Sequence, residues 1–190
     1  DLVEAVEQCG IVERDEPAQY VTVKEPVTFG GDRGDFLTFM PPENGEKKLR
    51  LDVAIDFNSI IGRQRIVFDV TPASFRHGAF ARTNASHSQM LMVRVFGFLF
   101  ADTRNLGYTT DNILIHGKRR FYGEPRFVQA DDGKALEPVW HRATLDLLAA
   151  IALIDAGRFV GRVVSYRAGH TLDVRAVGLL HKHDLLAPLA

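Results

Sequence analysis

The feature that most constrains this fold is the period-two alternation between residues 20 and 70. The stretch 49–57, L-R-L-D-V-A-I-D-F, alternates apolar and polar residues, the pattern of a strand with one face on a core. Three more alternating or β-branched runs, 20–29, 36–40 and 60–70, are separated by the turns G-G-D-R-G-D and P-P-E-N-G-E-K-K. The simplest interpretation is an antiparallel meander of about four strands.

Helical signals follow this strand-rich region. Thr71 and Pro72 predict a helix N-cap and first helical residue, and an apolar helix is predicted to open near Glu137. Residues 82–89 interrupt the apolar pattern and predict an exposed loop. The next apolar residues predict a strand-turn-strand unit, with core burial as the default and an acyl-chain tunnel as the sharper alternative. They are Phe96, Phe98, Leu99, Phe100, Ile113, Leu114 and Ile115.

Composition excludes several classes of protein. The 190 residues are 46% hydrophobic, enough for a sizeable core, and a formal net charge of -1 gives no global attraction to nucleic acid or membrane surfaces. We therefore expect no nucleic-acid partner. The single Cys9 precludes an internal disulfide and favours a reducing, cytoplasmic location. No run approaches the roughly 18 apolar residues of a transmembrane helix, so we expect no membrane-spanning segment.

The spacing of His141 and Asp146 raises a geometric question. Metal ligands on one helix usually lie four residues apart, which separates them by roughly 40° around the axis. The step of five found here gives roughly 140° on a straight α-helix. His141 before the first helical turn, where Pro138 marks the boundary, or a π-bulge would restore a shared face. The spacing alone favours the plainer alternative, a helix-start His141 and a solvated Asp146.

A second histidine is placed for chemistry at the end of a Val-rich strand. His170 follows Gly169, and a polar imidazole beside a flexible residue at a strand end is well placed to act in a cleft. A surface or helix-capping role is at least as compatible with the pattern. Arg142 and Arg167 lie near the two histidines and are suited to a phosphate or diphosphate, although a single arginine is usually a solvated cation.

Seven short strings in a shared order resemble the C-terminal half of the zinc-dependent UDP-3-O-acyl-N-acetylglucosamine deacetylases of lipid A biosynthesis. Each string is weak alone, but their common order over most of the chain makes the resemblance specific. The strings are C-G-I-V-E, Y-V-T-V-K-E-P-V, L-R-L-D-V-A-I-D-F-N, V-F-G-F, N-L-G-Y-T-T-D-N-I-L-I, D-G-K-A-L-E-P-V-W-H-R-A-T-L-D and S-Y-R-A-G-H.

The resemblance implies an α+β fold, a two-layer sandwich with a mixed, mostly antiparallel sheet, two helices on one face and a small βαβ insert at about 95–117. It assigns residues 1–18 to a helix end and linker from a missing first half, and 19–190 to the second-half domain. That first half, in the same protein or a partner chain, would supply a third zinc ligand and the glutamate base.

The resemblance also assigns roles to individual residues. His141 and Asp146 would bind zinc, which activates a water for attack on the N-acetyl group of a UDP-acyl-glucosamine. His170 would act as the charged acid. The substrate would be contacted by Arg142, Arg167, Phe96 and Gly169.

The sequence also departs from the family pattern. The motif H-x-x-x-D has become H-x-x-x-x-D, a threonine that polarises the carbonyl is Val95, and a turn glycine is Tyr108. The acid that supports the catalytic histidine falls on Ala150, and residues 82–89 resemble an insertion. These departures keep two alternatives open: a non-catalytic relative that binds a nucleotide-sugar or lipid, and a purely structural subunit.

Overall fold

The computed structural model describes residues 2–10, 17–100, 109–129 and 132–189, with the backbone alone for 2–3 and 94–100. The strands are β1 Tyr20–Val23, β2 Val27–Gly30, β3 Phe36–Met40, β4 Leu49–Phe57, β5 Gly62–Asp69, β6 Thr83–Ser86, β7 Ile113–His116, β8 Phe121–Tyr122, β9 Arg158–Phe159, β10 Gly161–Tyr166 and β11 Leu186–Leu189. The helices are α1 Leu2–Cys9, α2 Pro72–Ala79, α3 His87–Phe100, α4 Glu137–His141, α5 Leu148–Ile151 and α6 His170–Lys182, with a π-helix at Arg142–Leu147 and a 3-10 turn at Glu43–Gly45.

The central sheet has five strands in the order β2-β3-β10-β4-β5. β2–β3 and β4–β5 are the antiparallel hairpins that the alternation predicts. The predicted meander is wrong at one place, because β10 lies between the hairpins, antiparallel to β3 and parallel to β4. The long-range pairing places Val163 opposite both Phe39 and Leu51, and all three side chains are buried.

The core lies between one face of this sheet and a helical layer made of α4, the π-helix, α5 and α6. Leu147 of the π-helix and Leu180 of α6 are fully buried in the same cluster as the inward residues of β3, β4 and β10. The other face of the sheet carries ion pairs instead. Asp52 accepts hydrogen bonds there from Arg65 Nε at 2.7 Å and from Arg162 Nη2 at 2.6 Å.

The run 20–29, predicted as one strand, is divided between two sheets. β1 pairs antiparallel with β11 and parallel with β9, whereas β2 belongs to the five-stranded sheet. The intervening residues contain Pro26, which cannot donate a ladder hydrogen bond and favours a break at this point.

A third, smaller sheet contains a βαβ unit formed by β6, α3 and β7. Two sequence-based predictions are wrong here: the expected loop 82–89 forms β6 and the start of α3, and residues 96–100 belong to α3 rather than to a strand-turn-strand unit. Ser86 and Gln89 explain the helix start. The Ser86 backbone N–H donates to Gln89 Oε1 at 2.8 Å, and the Gln89 N–H donates to Ser86 Oγ at 3.2 Å.

The predicted fold class, an α+β sandwich, is confirmed. The N-cap prediction is also confirmed, because Thr71 caps α2 through Ser74 and Pro72 follows it. Among the helices of the described ranges, none has the length and hydropathy needed to cross a bilayer. The division into a linker, 1–18, and a domain, 19–190, stays a prediction; the βαβ unit at 83–116 overlaps the insert predicted at about 95–117.

Candidate functional site

The helical segment that carries His141 and Asp146 changes its winding between the two residues. His141 ends α4, and the next residues, Arg142–Leu147, form a π-helix. The backbone N–H of Leu148 donates to the carbonyl of Ala143, five residues earlier. In this winding, residues five apart follow each other on one face. The π-bulge, one of the two arrangements that the spacing left open, is the one adopted.

The π-turn brings the two side chains together. His141 Nε2 lies 3.3 Å from Asp146 Oδ1, and both side chains are largely buried, at 15% and 14% exposure. The plainer alternative of a solvated Asp146 is therefore wrong in this structure. The step of five residues in the sequence and the i-to-i+5 winding of the helix compensate for each other.

Two local contacts explain why the helix widens at this place. Thr144 Oγ1 donates to the carbonyl of Trp140 at 2.7 Å, so a side chain occupies an acceptor of the α-helical ladder. Thr144 is also packed tightly on α2. A Cβ added to Gly78 would lie 2.3 Å from Thr144 Cγ2, so only glycine allows this approach. The additional residue in the helix is thus accommodated by the hydrogen bond from Thr144 to Trp140 and by the space that Gly78 leaves for the Thr144 side chain.

A carbonyl on the neighbouring loop orients the His141 ring. His141 Nδ1 lies 3.3 Å from the carbonyl oxygen of Ala81, which can only accept, so Nδ1 carries a proton. Nε2 faces Asp146, to which it donates when the ring is protonated, and it presents a lone pair when the ring is neutral. Burial lowers the pKa of His141, but the hydrogen bond and charge of Asp146 outweigh burial, and the pKa is raised above its ordinary value. The ring is thus fixed in both tautomer and direction.

The loop that orients His141 is itself held by a buried ion pair. Glu137, the first residue of α4, is fully buried and accepts from Arg82 Nε at 2.7 Å and from the backbone N–H of Arg126 at 2.6 Å. Burial raises the pKa of Glu137, but the hydrogen bonds from Arg82 and Arg126 outweigh burial and lower it overall. The sequence pattern gave no indication of this pair.

His170 reaches the same place from a different element. It is the first residue of α6, after the N-cap Gly169, and its Nε2 lies 3.7 Å from Asp146 Oδ1. Its side chain is 78% exposed. Arg167, three residues earlier, has a φ of 53°, a left-handed conformation that is uncommon outside glycine. A strained turn therefore presents His170 to Asp146.

The two predicted phosphate contacts have different environments. The Arg167 side chain is exposed, whereas Arg142 is only 7% exposed. Arg142 Nη2 donates to Asp173 Oδ1 at 2.6 Å, and Nε donates to the Ala168 carbonyl at 2.8 Å. Burial raises the pKa of Asp173, and Arg142 offsets this only in part.

These residues meet at a cleft of about 710 Å³. It brings together the predicted residues His141, Asp146, Arg142, Arg167, Gly169 and His170. Their individual roles stay predictions. The residues of this site that the sequence reasoning missed include Asn84, Arg33, Arg175 and, beneath the cleft, Asp173. Asp173, in the first turn after His170, had a sequence signal that could have identified it. The side chains of Phe96 and Val95, and all of Tyr108, lie outside the described residues.

The donor atoms fit part of a zinc site. Imidazole nitrogen and carboxylate oxygen are both zinc ligands, and two ligands about 2.0–2.1 Å from a tetrahedral ion lie roughly 3.3 Å from each other. The observed distance between His141 Nε2 and Asp146 Oδ1 is 3.3 Å. Within the described ranges, however, no three His, Cys, Asp or Glu residues form a group able to hold a metal. Within the part of the chain that the structure describes, the pair therefore has the donor types and separation of two of the three protein ligands typical of a catalytic zinc site.

Comparisons with known proteins point to one family. A family model described as UDP-3-O-acyl N-acetylglycosamine deacetylase matches residues 1–182. UDP-3-O-acyl-N-acetylglucosamine deacetylases of Brucella ovis, Brucella canis and Brucella suis are each 30% identical to this chain over 188 residues. Each match covers 94% of this chain and 57% of the relative. The chain thus spans little more than half the length of these curated relatives.

Proposed function

Because the chain belongs to the UDP-3-O-acyl N-acetylglycosamine deacetylase family, we propose that it forms one half of a zinc-dependent site that hydrolyses the N-acetyl group of UDP-3-O-acyl-N-acetylglucosamine in lipid A biosynthesis. The observation that carries this proposal is the π-turn, which holds His141 Nε2 and Asp146 Oδ1 3.3 Å apart despite the altered spacing. A chain that had lost this role would have no need to compensate for the inserted residue.

In this proposal His141 and Asp146 hold the metal. The bond from His141 Nδ1 to the Ala81 carbonyl keeps the Nε2 lone pair available, and the negative charge of Asp146 balances part of the charge of the ion. When bound, zinc activates a water molecule for attack on a carbonyl carbon. The raised pKa of His141 implies that binding the metal must displace a proton more often than at an ordinary histidine.

His170 has the position of the acid. Its exposed imidazole can reach a ligand in the cleft, and its Nε2 lies 3.7 Å from Asp146 Oδ1. A protonated imidazole at this position would stabilise the negative charge that develops on the acetamide oxygen and would donate a proton to the leaving amine. Arg167, exposed at the rim, is the proposed contact to the diphosphate of the substrate. Phe96 and Gly169 remain proposed contacts on the basis of the family resemblance.

A first-half domain is a necessary partner in this proposal, since this chain offers two metal ligands and spans 57% of its relatives. One surface supports such a partner. An apolar stripe at helical spacing lies on the outer side of the helical layer. Within this stripe Leu153 is 57% exposed and Leu145 is 36% exposed. The stripe consists of Leu145, Leu148, Ala149, Ala152 and Leu153. Covering it would remove apolar area from water.

We also propose a cytoplasmic location.

A second candidate is a non-catalytic relative that binds a nucleotide-sugar or lipid, or serves as a structural subunit. The observation in its favour is Ala150, which stands where the family pattern has the acid that supports the catalytic histidine. The Ala150 side chain is only 5% exposed, so no group there can orient His170. A cleft that retains Arg167 but lacks catalysis would still bind a phosphate-bearing ligand.

The test combines metal content with turnover, using this chain joined to or co-expressed with a first-half domain. We expect stoichiometric zinc and release of acetate from UDP-3-O-acyl-N-acetylglucosamine, with both lost in His141→Ala and Asp146→Ala. His183→Ala is the matched control, because His183 lies at the far end of α6 and should leave both unchanged. Stable pairing without zinc or turnover would instead support the non-catalytic relative.

A further inference from the structure

One guanidinium connects the two elements that carry the proposed chemistry. Arg142 follows His141 directly in the chain. Its side chain reaches the turn before His170 through the Ala168 carbonyl, and reaches the first turn of α6 through Asp173. A weaker contact, Nη2 to Ser165 Oγ at 3.3 Å, adds the end of β10. The metal-binding segment and the acid-bearing segment therefore meet at one side chain.

The same contacts hold the guanidinium of Arg142 within the wall of the cleft. The residue is 93% buried, and its Nε and Nη2 donors are committed to protein acceptors. Two buried atoms of this pair, Arg142 Nη1 and Asp173 Oδ2, have no hydrogen-bond partner among the described residues. An arginine that contacts a diphosphate needs exposed donors at the wall of the cleft, as the exposed Arg167 has.

We propose that Arg142 and Asp173 are positioning residues, a buried pair that holds His170 opposite the His141–Asp146 pair. The inference rests on the proposed function, since it assigns a role in that reaction. The strained turn at Arg167 explains why such a positioning pair is needed. The left-handed Arg167 persists only if the surrounding structure over-determines it, and the bond from Arg142 to the next carbonyl, that of Ala168, does so.

The positioning role requires both the branched guanidinium of Arg142 and the negative charge of Asp173. Lysine at position 142 would keep the charge but has one nitrogen, which cannot serve Ala168 and Asp173 in the same planar geometry. Asn at position 173 would keep the shape but remove the charge. Because the pair acts on His170 and not on the substrate, we expect Arg142→Lys and Asp173→Asn to lower kcat about 10- to 100-fold with KM little changed.

The experiment measures kcat and KM in the protein joined to its first half. Asp52→Asn is the matched control: Asp52 is also a buried carboxylate that holds arginines, but it lies on the opposite face of the sheet and away from the cleft. It should leave both constants unchanged. Arg167→Gln provides the contrast, with an expected rise in KM at nearly constant kcat.

A second readout does not depend on turnover. The NMR signals of the His170 imidazole in this chain, recorded at fixed pH, should shift or broaden in Arg142→Lys and Asp173→Asn but not in Asp52→Asn. Unchanged His170 signals would overturn the positioning role even if the enzyme proved inactive. A rise in KM at constant kcat in Arg142→Lys would also overturn it, and would return Arg142 to the phosphate. An inactive unsubstituted protein with the expected His170 shifts would count against the proposed function alone.

Discussion

Two buried arginine–carboxylate pairs lie on either side of His141 along the chain, and they are satisfied to different degrees. Glu137 accepts four hydrogen bonds, three from Arg82 and one from the Arg126 backbone, so both oxygens have partners. Asp173 accepts from Arg142 through Oδ1 at 2.6 Å, while Oδ2 has no partner among the described residues. Both carboxylates are at most 1% exposed.

The pKa shifts of the two acids have opposite signs. Burial alone raises the pKa of each, but the hydrogen bonds to Glu137 outweigh it and lower the pKa, whereas Arg142 does not offset the burial of Asp173. The number of donors, rather than the presence of an arginine, decides whether a buried carboxylate is stabilised in its charged form. The complete pair is a structural anchor for α4, and the incomplete pair lies beneath the cleft.

The largest expected effect is that of Glu137→Gln. Glutamine keeps the shape but leaves Arg82, whose side chain is only 9% exposed, without its counter-charge, so the free energy of unfolding should fall by about 3–5 kcal/mol. Urea unfolding monitored by the fluorescence of Trp140, three residues away, measures this loss. A loss below about 1 kcal/mol would contradict the view that satisfied donors make this pair the stronger one.

Asp173→Asn should cost less, because the charged carboxylate it removes is poorly satisfied. We expect a loss of about 0.5–1.5 kcal/mol, the usual net contribution of an uncharged hydrogen bond, because the raised pKa of Asp173 means that its ionisation adds no stability. The same urea titration applies, and comparison with Glu137→Gln cancels errors common to both variants. Equal losses in the two variants would break the contrast between the complete and the incomplete pair.

The pH dependence of stability should have opposite directions at the two acids. The pKa of Glu137 lies below its ordinary 4.5 when folded, so the advantage of the unsubstituted protein over Glu137→Gln is present above pH 4.5 and is lost as pH falls through the lowered pKa. The pKa of Asp173 lies above its ordinary 3.8, so relative to Asp173→Asn the protein loses stability as pH rises from 3.8 through the raised pKa.

Urea midpoints from pH 3 to 7, compared within each pair of proteins, measure the two trends. Each slope is limited to about 1.4 kcal/mol per pH unit, since one proton is involved. Parallel trends in the two comparisons would show that the acids have equivalent environments, which would contradict the opposite pKa shifts.

The smallest effect is expected at an exposed pair. Lys24 Nζ lies 2.5 Å from Asp184 Oδ2, but the two side chains are 46% and 90% exposed. Water and salt screen such a pair, so Asp184→Asn should change the free energy of unfolding by about 0–1 kcal/mol. This variant should give the smallest loss of unfolding free energy among these variants. A loss as large as that of Asp173→Asn would mean that burial does not separate these pairs.

The features of the fold that depend on neighbouring residues could be predicted from the sequence. Alternation identified β4, and the hydroxyl of Thr71 before Pro72 identified the start of α2. The capping pair Ser86 and Gln89 was equally local but was overlooked, because β6 is short and polar and the apolar residues after it have no clear period. A uniformly apolar segment is compatible with a buried strand or a buried helix.

The features that depend on distant residues could not be predicted. The burial of Arg142 is decided by Asp173, 31 residues later on another helix. The choice of a π-turn between His141 and Asp146 is decided partly by Gly78, which belongs to α2 and leaves room for Thr144. The sequence could define the alternatives at the site, but packing between elements selected one of them.

The position of β10 also has a consequence for the order of folding. The two hairpins contain only local contacts and can form early, but the strand that joins them pairs residues such as Asp52 and Arg162, which are 110 residues apart in the chain. On a ribosome, both hairpins are synthesised long before β10 emerges, and until then the inner edges of β3 and β4 are unpaired. The chain therefore exposes two unpaired strand edges while residues 70–160 are synthesised, and binding of a chaperone or of a co-translational partner at those edges would act before the site exists.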